Sequence, residues 1–171
     1  MRLFNPVTAS LAGALVVVLG ACVSGNPDTQ AAKEPIRLDL SIKAAKDVNP
    51  DDKGRAAPIV VRVYELKNDA AFAVADFFSL QDRDKTLLAD DVNAREEFLL
   101  RPGDTKSVRR KSNPSTLAIG ILAAYRDLPN AVWRETYPLP PAPDAAWYRR
   151  GGKVKLNIDL EANALKVTES K

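Results

Sequence analysis

The side chains available for chemistry are few. The chain has no histidine and a single cysteine, Cys22, among 25 basic and 22 acidic residues. Without an imidazole no Ser-His-Asp or Cys-His centre can be built, and the His-based zinc and iron sites fall away with it. Carboxylate pairs and lysines remain as acid–base groups. With one thiol there is no internal disulfide and no thiolate zinc site. Asp47, Asn49 and Asp51 alternate like the opening of a calcium loop. Such a loop needs glycine at its sixth position and a bidentate glutamate at its twelfth, where this chain has Asp52 and Pro58, so no metal is expected. What is left is Cys22 itself, placed at the end of an apolar N-terminal segment after Leu19-Gly20-Ala21.

That segment has the parts of an export signal. Arg2 is its only charge, and the apolar run from Val7 to Leu19 is broken only by small or hydroxyl residues. The run falls short of the ~20 residues that cross a bilayer and fits the apolar region of a signal peptide. Leu19-Gly20-Ala21-Cys22 resembles the lipobox of bacterial lipoproteins. The resemblance implies removal of residues 1–21 and alkylation of the Cys22 thiol by a diacylglycerol. Each buried acyl methylene contributes about 0.8 kcal/mol, so several chains hold where one would not. The next residue is Val23 rather than aspartate, which in enterobacterial lipoproteins favours the outer membrane. Residues 22–35 carry Gly, Asn, Pro, Gln, Ala and charges without an apolar period, the composition of a flexible tether. At about 3.3 Å per extended residue the tether reaches roughly 40 Å. A domain over residues 36–171 follows, about 150 residues with the tether and enough for one core.

The elements of that domain are legible in its periodicities. Ile36, Leu38, Leu40 and Ile42 alternate with Arg37, Asp39, Ser41 and Lys43, which predicts a strand with one buried face. Pro58–Lys67 is β-branched and partly apolar on both faces, as a central strand is. A helical period then places Ala71, Val74, Ala75 and Phe78 on one face after a cap at Asn68 or Asp69, and Asp82 or Asp84 opens a second helical stretch. Arg95–Leu100 and Lys106–Lys111 flank Arg101-Pro102-Gly103-Asp104, a type II turn signal that predicts a hairpin. Leu117–Tyr125 is apolar on both faces and belongs in the centre of a sheet. Trp133–Tyr137, Lys153–Leu160 and Ala164–Thr168 complete the set. Pro138–Pro143 holds four prolines and reads as a stiff extended loop. Seven or eight strands with one helical insertion predict an all-β, two-sheet sandwich.

Charge adds little specificity. The basic runs Arg109-Arg110-Lys111 and Arg149-Arg150 with Lys153 and Lys155 read as solvated strand faces or turns, with anionic lipid head groups as the other option. An exported protein meets little nucleic acid, so none is expected as a partner. Tyr64, Phe77, Phe78, Tyr125, Trp133 and Tyr137 read as core aromatics. Trp147-Tyr148 is harder to place in a core and reads as an exposed anchor near a partner.

The order of these features resembles the TssJ family, the outer-membrane lipoprotein of the bacterial type VI secretion system. The likeness rests on the lipobox at Cys22, on Arg62-Val63-Tyr64-Glu65-Leu66-Lys67, on Ala75-Asp76-Phe77-Phe78-Ser79-Leu80, and on Ile119 to Asp127 followed by Trp133-Arg134. It implies a transthyretin-like β-sandwich, a non-enzymatic protein without cofactor or small-molecule substrate. It also implies a lipid-anchored place in the outer membrane facing the periplasm, and binding to the periplasmic C-terminal region of the inner-membrane component TssM. By position the family's partner-binding loop falls on Lys46 to Ala57, with Lys46, Asp47, Val48, Asn49, Pro50, Asp51, Asp52, Lys53, Gly54 and Arg55 as the site. Proline and glycine lower the ordering cost of such a loop, and Asp47, Asp51 and Asp52 form an acidic cluster suited to a basic patch. The alternatives are a periplasmic carrier or pilot lipoprotein, and a urate-pathway hydrolase of similar fold, whose site is built around histidines that this chain lacks.

Overall fold

A computed structural model describes residues 32–145 and 151–170. The described strands are β1 (Arg37–Ala44), β2 (Ile59–Leu66), β3 (Val92–Leu100), β4 (Thr105–Lys111), β5 (Ala118–Ala123), β6 (Arg134–Pro138), β7 (Lys153–Leu160) and β8 (Leu165–Glu169). They form two four-stranded sheets, β4-β1-β7-β8 and β3-β2-β5-β6, the expected all-β sandwich. Alternation decides what lies between them. Leu38, Leu40 and Ile42 of β1 and Val154, Leu156, Ile158 and Leu160 of β7 point inward and are buried. They meet Ile59, Val61 and Val63 of β2 and Ile119, Ile121 and Ala123 of β5 in one apolar cluster.

β2 and β5 are apolar on both faces because the second sheet is covered outside as well. Helices α1 (Ala70–Val74) and α2 (Phe77–Leu87) lay Phe72, Phe77, Leu80 and neighbouring Leu88 onto Tyr64, Leu66, Ala118 and Leu122. The one face predicted from Ala71, Val74, Ala75 and Phe78 is not the buried one: Val74 is 83% and Phe78 63% exposed. That face presumes one continuous helix. The chain instead turns extended at Ala75 (φ −66°, ψ 146°), and Asp76 starts α2 as its cap, Oδ1 accepting from the Ser79 N–H at 3.0 Å. The break re-phases the helix and brings Phe72 and Phe77 down together. Gly120 makes room for Phe72, since a Cβ there would stand 2.8 Å from Leu66 Cδ1 and 2.9 Å from Phe72 Cε1.

Polar anchors hold the insertion in place. Asp84, nearly buried, accepts the Tyr64 hydroxyl at 2.8 Å and pairs with Arg95 Nε at 2.6 Å. Arg62 donates to the Leu80 and Gln81 carbonyls at 3.1 and 2.7 Å, while Arg134 donates to the Phe72 and Ala75 carbonyls at 2.9 and 2.6 Å. Arg62-Val63-Tyr64 therefore serves the architecture: two of its side chains fasten the helices to the sheet. Glu65 of the same segment sits buried at the sandwich edge. It accepts from the Asn113 N–H and the Thr116 hydroxyl, each at 3.0 Å, and its charge is met by Arg110 at 2.7 Å.

The Arg101–Asp104 turn forms as expected, with Asp104 N–H donating to the Arg101 carbonyl at 3.0 Å and Gly103 at φ +87°. The predicted hairpin does not. β3 pairs antiparallel with β2 and β4 with β1, so the turn carries the chain from one sheet to the other. Long registers with β2 and β1 outcompete the short local pairing, and they keep both apolar faces toward the core. β1 and β7 run parallel, with Arg37 opposite Lys153 and Ala44 opposite Leu160.

The last residues of the expected tether lie against the domain. Glu34 N–H donates to the Pro143 carbonyl at 2.8 Å, Ala145 N–H to the Ala32 carbonyl at 2.7 Å, and Lys33 pairs with Asp144 at 2.7 Å. The described stretch beside the Pro138–Pro143 run is therefore ordered pairing. Of the expected core aromatics Tyr64, Phe77 and Tyr125 are buried, Trp133 and Tyr137 are half-buried, and Phe78 is exposed.

Candidate partner-binding loop

Between β1 and β2 the chain makes the loop that contains Lys46–Ala57. Its residues divide into an anchor and a tip. Val48 and Asn49 are buried, at 0% and 3% exposure, so they hold the loop and do not present it. Asn49 takes a left-handed backbone (φ +51°), a conformation that asparagine tolerates better than most residues. It ties three chain segments together. Its N–H donates to the Ala162 carbonyl at 2.9 Å, its side-chain amide donates to the Pro58 carbonyl at 2.9 Å, and its Oδ1 accepts the Arg126 N–H at 2.8 Å. Ala57 N–H closes the base on the Val48 carbonyl at 3.1 Å.

The tip is built around Asp51. Its Oδ1 accepts the N–H groups of Lys53 and Arg55, both at 2.9 Å, and its Oδ2 meets the Arg55 guanidinium at 2.8 Å and 2.6 Å. Arg55, through side chain and backbone, holds the Asp51 carboxyl below its usual range. Gly54 completes the turn at φ +73°. Lys46, Asp47, Asp52, Lys53, Gly54 and Arg55 are exposed and Pro50 half-exposed.

This geometry revises the expected acidic cluster. Asp51 spends its charge inside the turn, which leaves Asp47 and Asp52 as free carboxylates among exposed cations. The three side chains of the calcium-like pattern do not converge either: Asn49 points into the anchor and Asp51 into the tip. Beside the tip lies a concavity of ≈ 430 Å³ lined by Pro50, Asp51, Asp52, Arg126, Asp127 and Asn163. Arg126, Asp127 and Asn163 come from the β5–β6 and β7–β8 connections. No local signal marks them as neighbours of the loop, and only the fold brings them there. Cys22, Trp147 and Tyr148 lie outside the described residues.

Residues 36–163 match the family model described as type VI secretion lipoprotein (VasD, EvfM, TssJ). Among solved structures, the T6SS lipoprotein TssJ1 from Pseudomonas aeruginosa is 37% identical, over 80% of this chain and 98% of that one, with a TM-score of 0.72. Lip from Serratia marcescens, a membrane-bound component of the type VI secretion system, is 31% identical, over 80% and 99%, with a TM-score of 0.69. A chain in the structure described as the T6SS protein TssM C-terminal domain from EAEC shares the fold at 22% identity, over 77% and 97%, with a TM-score of 0.59. No curated protein matches the chain significantly. The family match over most of the domain, the two-sheet sandwich and the helical insertion fastened by Arg62, Tyr64 and Arg134 agree: the chain belongs to the TssJ family of type VI secretion lipoproteins.

Proposed function

We propose that this protein is the outer-membrane end of the type VI secretion membrane complex, acylated on Cys22, facing the periplasm and binding the periplasmic C-terminal region of TssM through the loop between β1 and β2. The observation that carries the reading is the direction of β1. The chain enters the domain at Arg37 and leaves β1 at Ala44 directly into the loop. At about 3.3 Å per residue an eight-residue strand separates its two ends by roughly 25 Å, so the point where the chain enters β1 and the loop it leads into are at opposite ends of one strand. A bridge between two membranes needs this polarity and no reaction. The occurrence of a chain with this fold in a structure described by the TssM C-terminal domain supports the choice of partner. The space between the sheets is filled by the side chains of the core, which gives the carrier reading no support.

Two substitutions test the two ends separately. Cys22→Ser moves the folded chain from the membrane to the soluble periplasmic fraction and abolishes secretion. Normal secretion by that variant refutes the anchor. Exchanging the exposed tip charges, Asp52→Lys with Lys53→Glu, lowers affinity for the TssM C-terminal region at an unchanged thermal midpoint, and unaltered affinity removes the tip from the interface.

A further inference from the structure

We propose that the outer face of sheet β4-β1-β7-β8, at the end where the chain enters the domain, is a docking surface for the anionic lipid head groups of a bilayer. Strand register assembles it. Lys111 of β4, Arg37 of β1 and Lys153 of β7 stand in one cross-strand row, and Arg109, Asp39 and Lys155 stand in the next. Three adjacent strands at about 4.8 Å spacing therefore carry three cations side by side, followed by two more that flank one acid. The row encloses a shallow concavity of ≈ 450 Å³.

The charge of Arg37 and Lys111 is not consumed internally. Asp39 is shared between Lys153 at 3.3 Å and Arg109 at 3.4 Å, and the hydrogen bond from Lys153, then Arg109, keeps its carboxyl below the usual range. One carboxylate thus answers two cations, while Arg37 and Lys111 are exposed and have no acidic partner on this face among the described residues. Like charges directly opposite each other destabilise a sheet. Of the three in this row only Lys153 gains an acidic partner, so Arg37 and Lys111 bear that cost without compensation among the described residues. The remainder of the same face is different in kind: Ser41, Ser107 and Asn157 form its next row, and Lys43, Thr105 and Asp159 the one beyond. Beyond the first two rows the only cation on this face of the three strands is Lys43, which stands opposite Asp159, so net positive charge is concentrated at one end.

The occupant follows from where that end lies. Ala32, Lys33 and Glu34 pair along the domain just before Arg37, and only nine residues lie between Cys22 and Ala32, ten steps that span at most about 35 Å of extended chain. This inference rests on the proposed acylation of Cys22, which would hold this end of the sandwich against the bilayer. A basic row there turns a loose tether into an oriented seat and points the β1–β2 loop away from the membrane.

The chain from residue 32 onward, which carries both described apolar clusters, isolates the surface from the anchor. It should co-sediment with vesicles of 30% phosphatidylglycerol in phosphatidylcholine, bind vesicles of phosphatidylcholine alone much less, and lose the difference at high salt. Each basic residue near an anionic surface changes binding about fivefold, so Arg37→Gln, Lys111→Gln and Lys153→Gln together should lower it about 100-fold. The thermal midpoint of the triple variant should stay at or above the parent's, because a repulsive row is removed. Equal binding to both vesicle types, retention of binding by the triple variant, or capture of a soluble polyanion without any vesicle binding overturns the proposal. Membrane fractionation of Cys22→Ser in the full chain, washed at high salt so that the basic face does not contribute, reports on the anchor independently, so failure of either reading is visible without the other.

Discussion

Asn49→Ala is the substitution that most directly tests how the loop is built. The parent side chain satisfies the Pro58 carbonyl at 2.9 Å and the Arg126 N–H at 2.8 Å, and the residue is only 3% exposed. Alanine leaves both backbone groups without that partner, at about 1–2 kcal/mol each. It also places a Cβ without a compensating polar group at φ +51°, a further cost of about 1 kcal/mol. The expected loss is about 3–5 kcal/mol, a large share of the roughly 5–15 kcal/mol that a domain possesses. Equilibrium urea unfolding should show it as a midpoint lower by about 2 M at an m-value of about 1.5–2 kcal/mol per M. Asn49→Gly relieves the backbone but not the hydrogen bonds, so it should recover about 1 kcal/mol. If both variants unfold within about 0.5 kcal/mol of the parent, the range of unremarkable surface changes, Asn49 is not the anchor and the account of the loop fails. The same reasoning makes deletion of Asn49–Gly54 a poor test of partner binding, since it removes the anchor together with the tip.

Gly120→Ala should destabilise by about 1–3 kcal/mol through overpacking, because its methyl group would meet Leu66 and Phe72 below 3.0 Å. Thermal melts should show the loss, and truncation of Phe72 to leucine in the same chain should return part of it. A neutral Gly120→Ala would mean that the helices do not press on the sheet. At high pH the domain should weaken through two tyrosines. Burial and the carboxylate of Asp84 raise the Tyr64 phenol, and burial with the nearby Glu161 raises that of Tyr125. A raised folded value favours the protonated form. That contribution is fully present below the ordinary phenol value of about 10 and is lost as pH rises past it toward the folded values. Urea midpoints measured from pH 8 to 11 should fall above about pH 10, and Tyr125→Phe should flatten the decline.

Much of this molecule can be read along the chain. The alternation of Leu38, Leu40 and Ile42 and of Val154, Leu156, Ile158 and Leu160 requires half-buried strands, because successive side chains of an extended chain face opposite ways. The double apolar character of β2 and β5 announces that both their faces are covered. The absence of histidine limits chemistry whatever the fold. Where the local pattern misleads, a longer-range contact wins. The helical face drawn through Val74 and Phe78 is exposed because Asp76 restarts the helix and Phe72 and Phe77 join the apolar cluster on the sheet, Phe72 over Gly120. The hairpin of β3 and β4 gives way to pairing with β2 and β1, because two long registers with buried faces outweigh one short local one.

The loop divides in the same manner. Its place between two strands, its glycine and its charges are properties of sequence. That Val48 and Asn49 are its foundation, that Asp51 is spent on Arg55, and that Arg126, Asp127 and Asn163 share its surface are not. Nor does the order of residues reveal that Lys111, Arg37 and Lys153, drawn from three distant strands, form one row. Sequence by itself determines which residues alternate, cap and turn, because those are interactions of near neighbours. Tertiary structure alone decides register and sheet order, because the free energy that selects them comes from burying faces contributed by residues far apart in the chain.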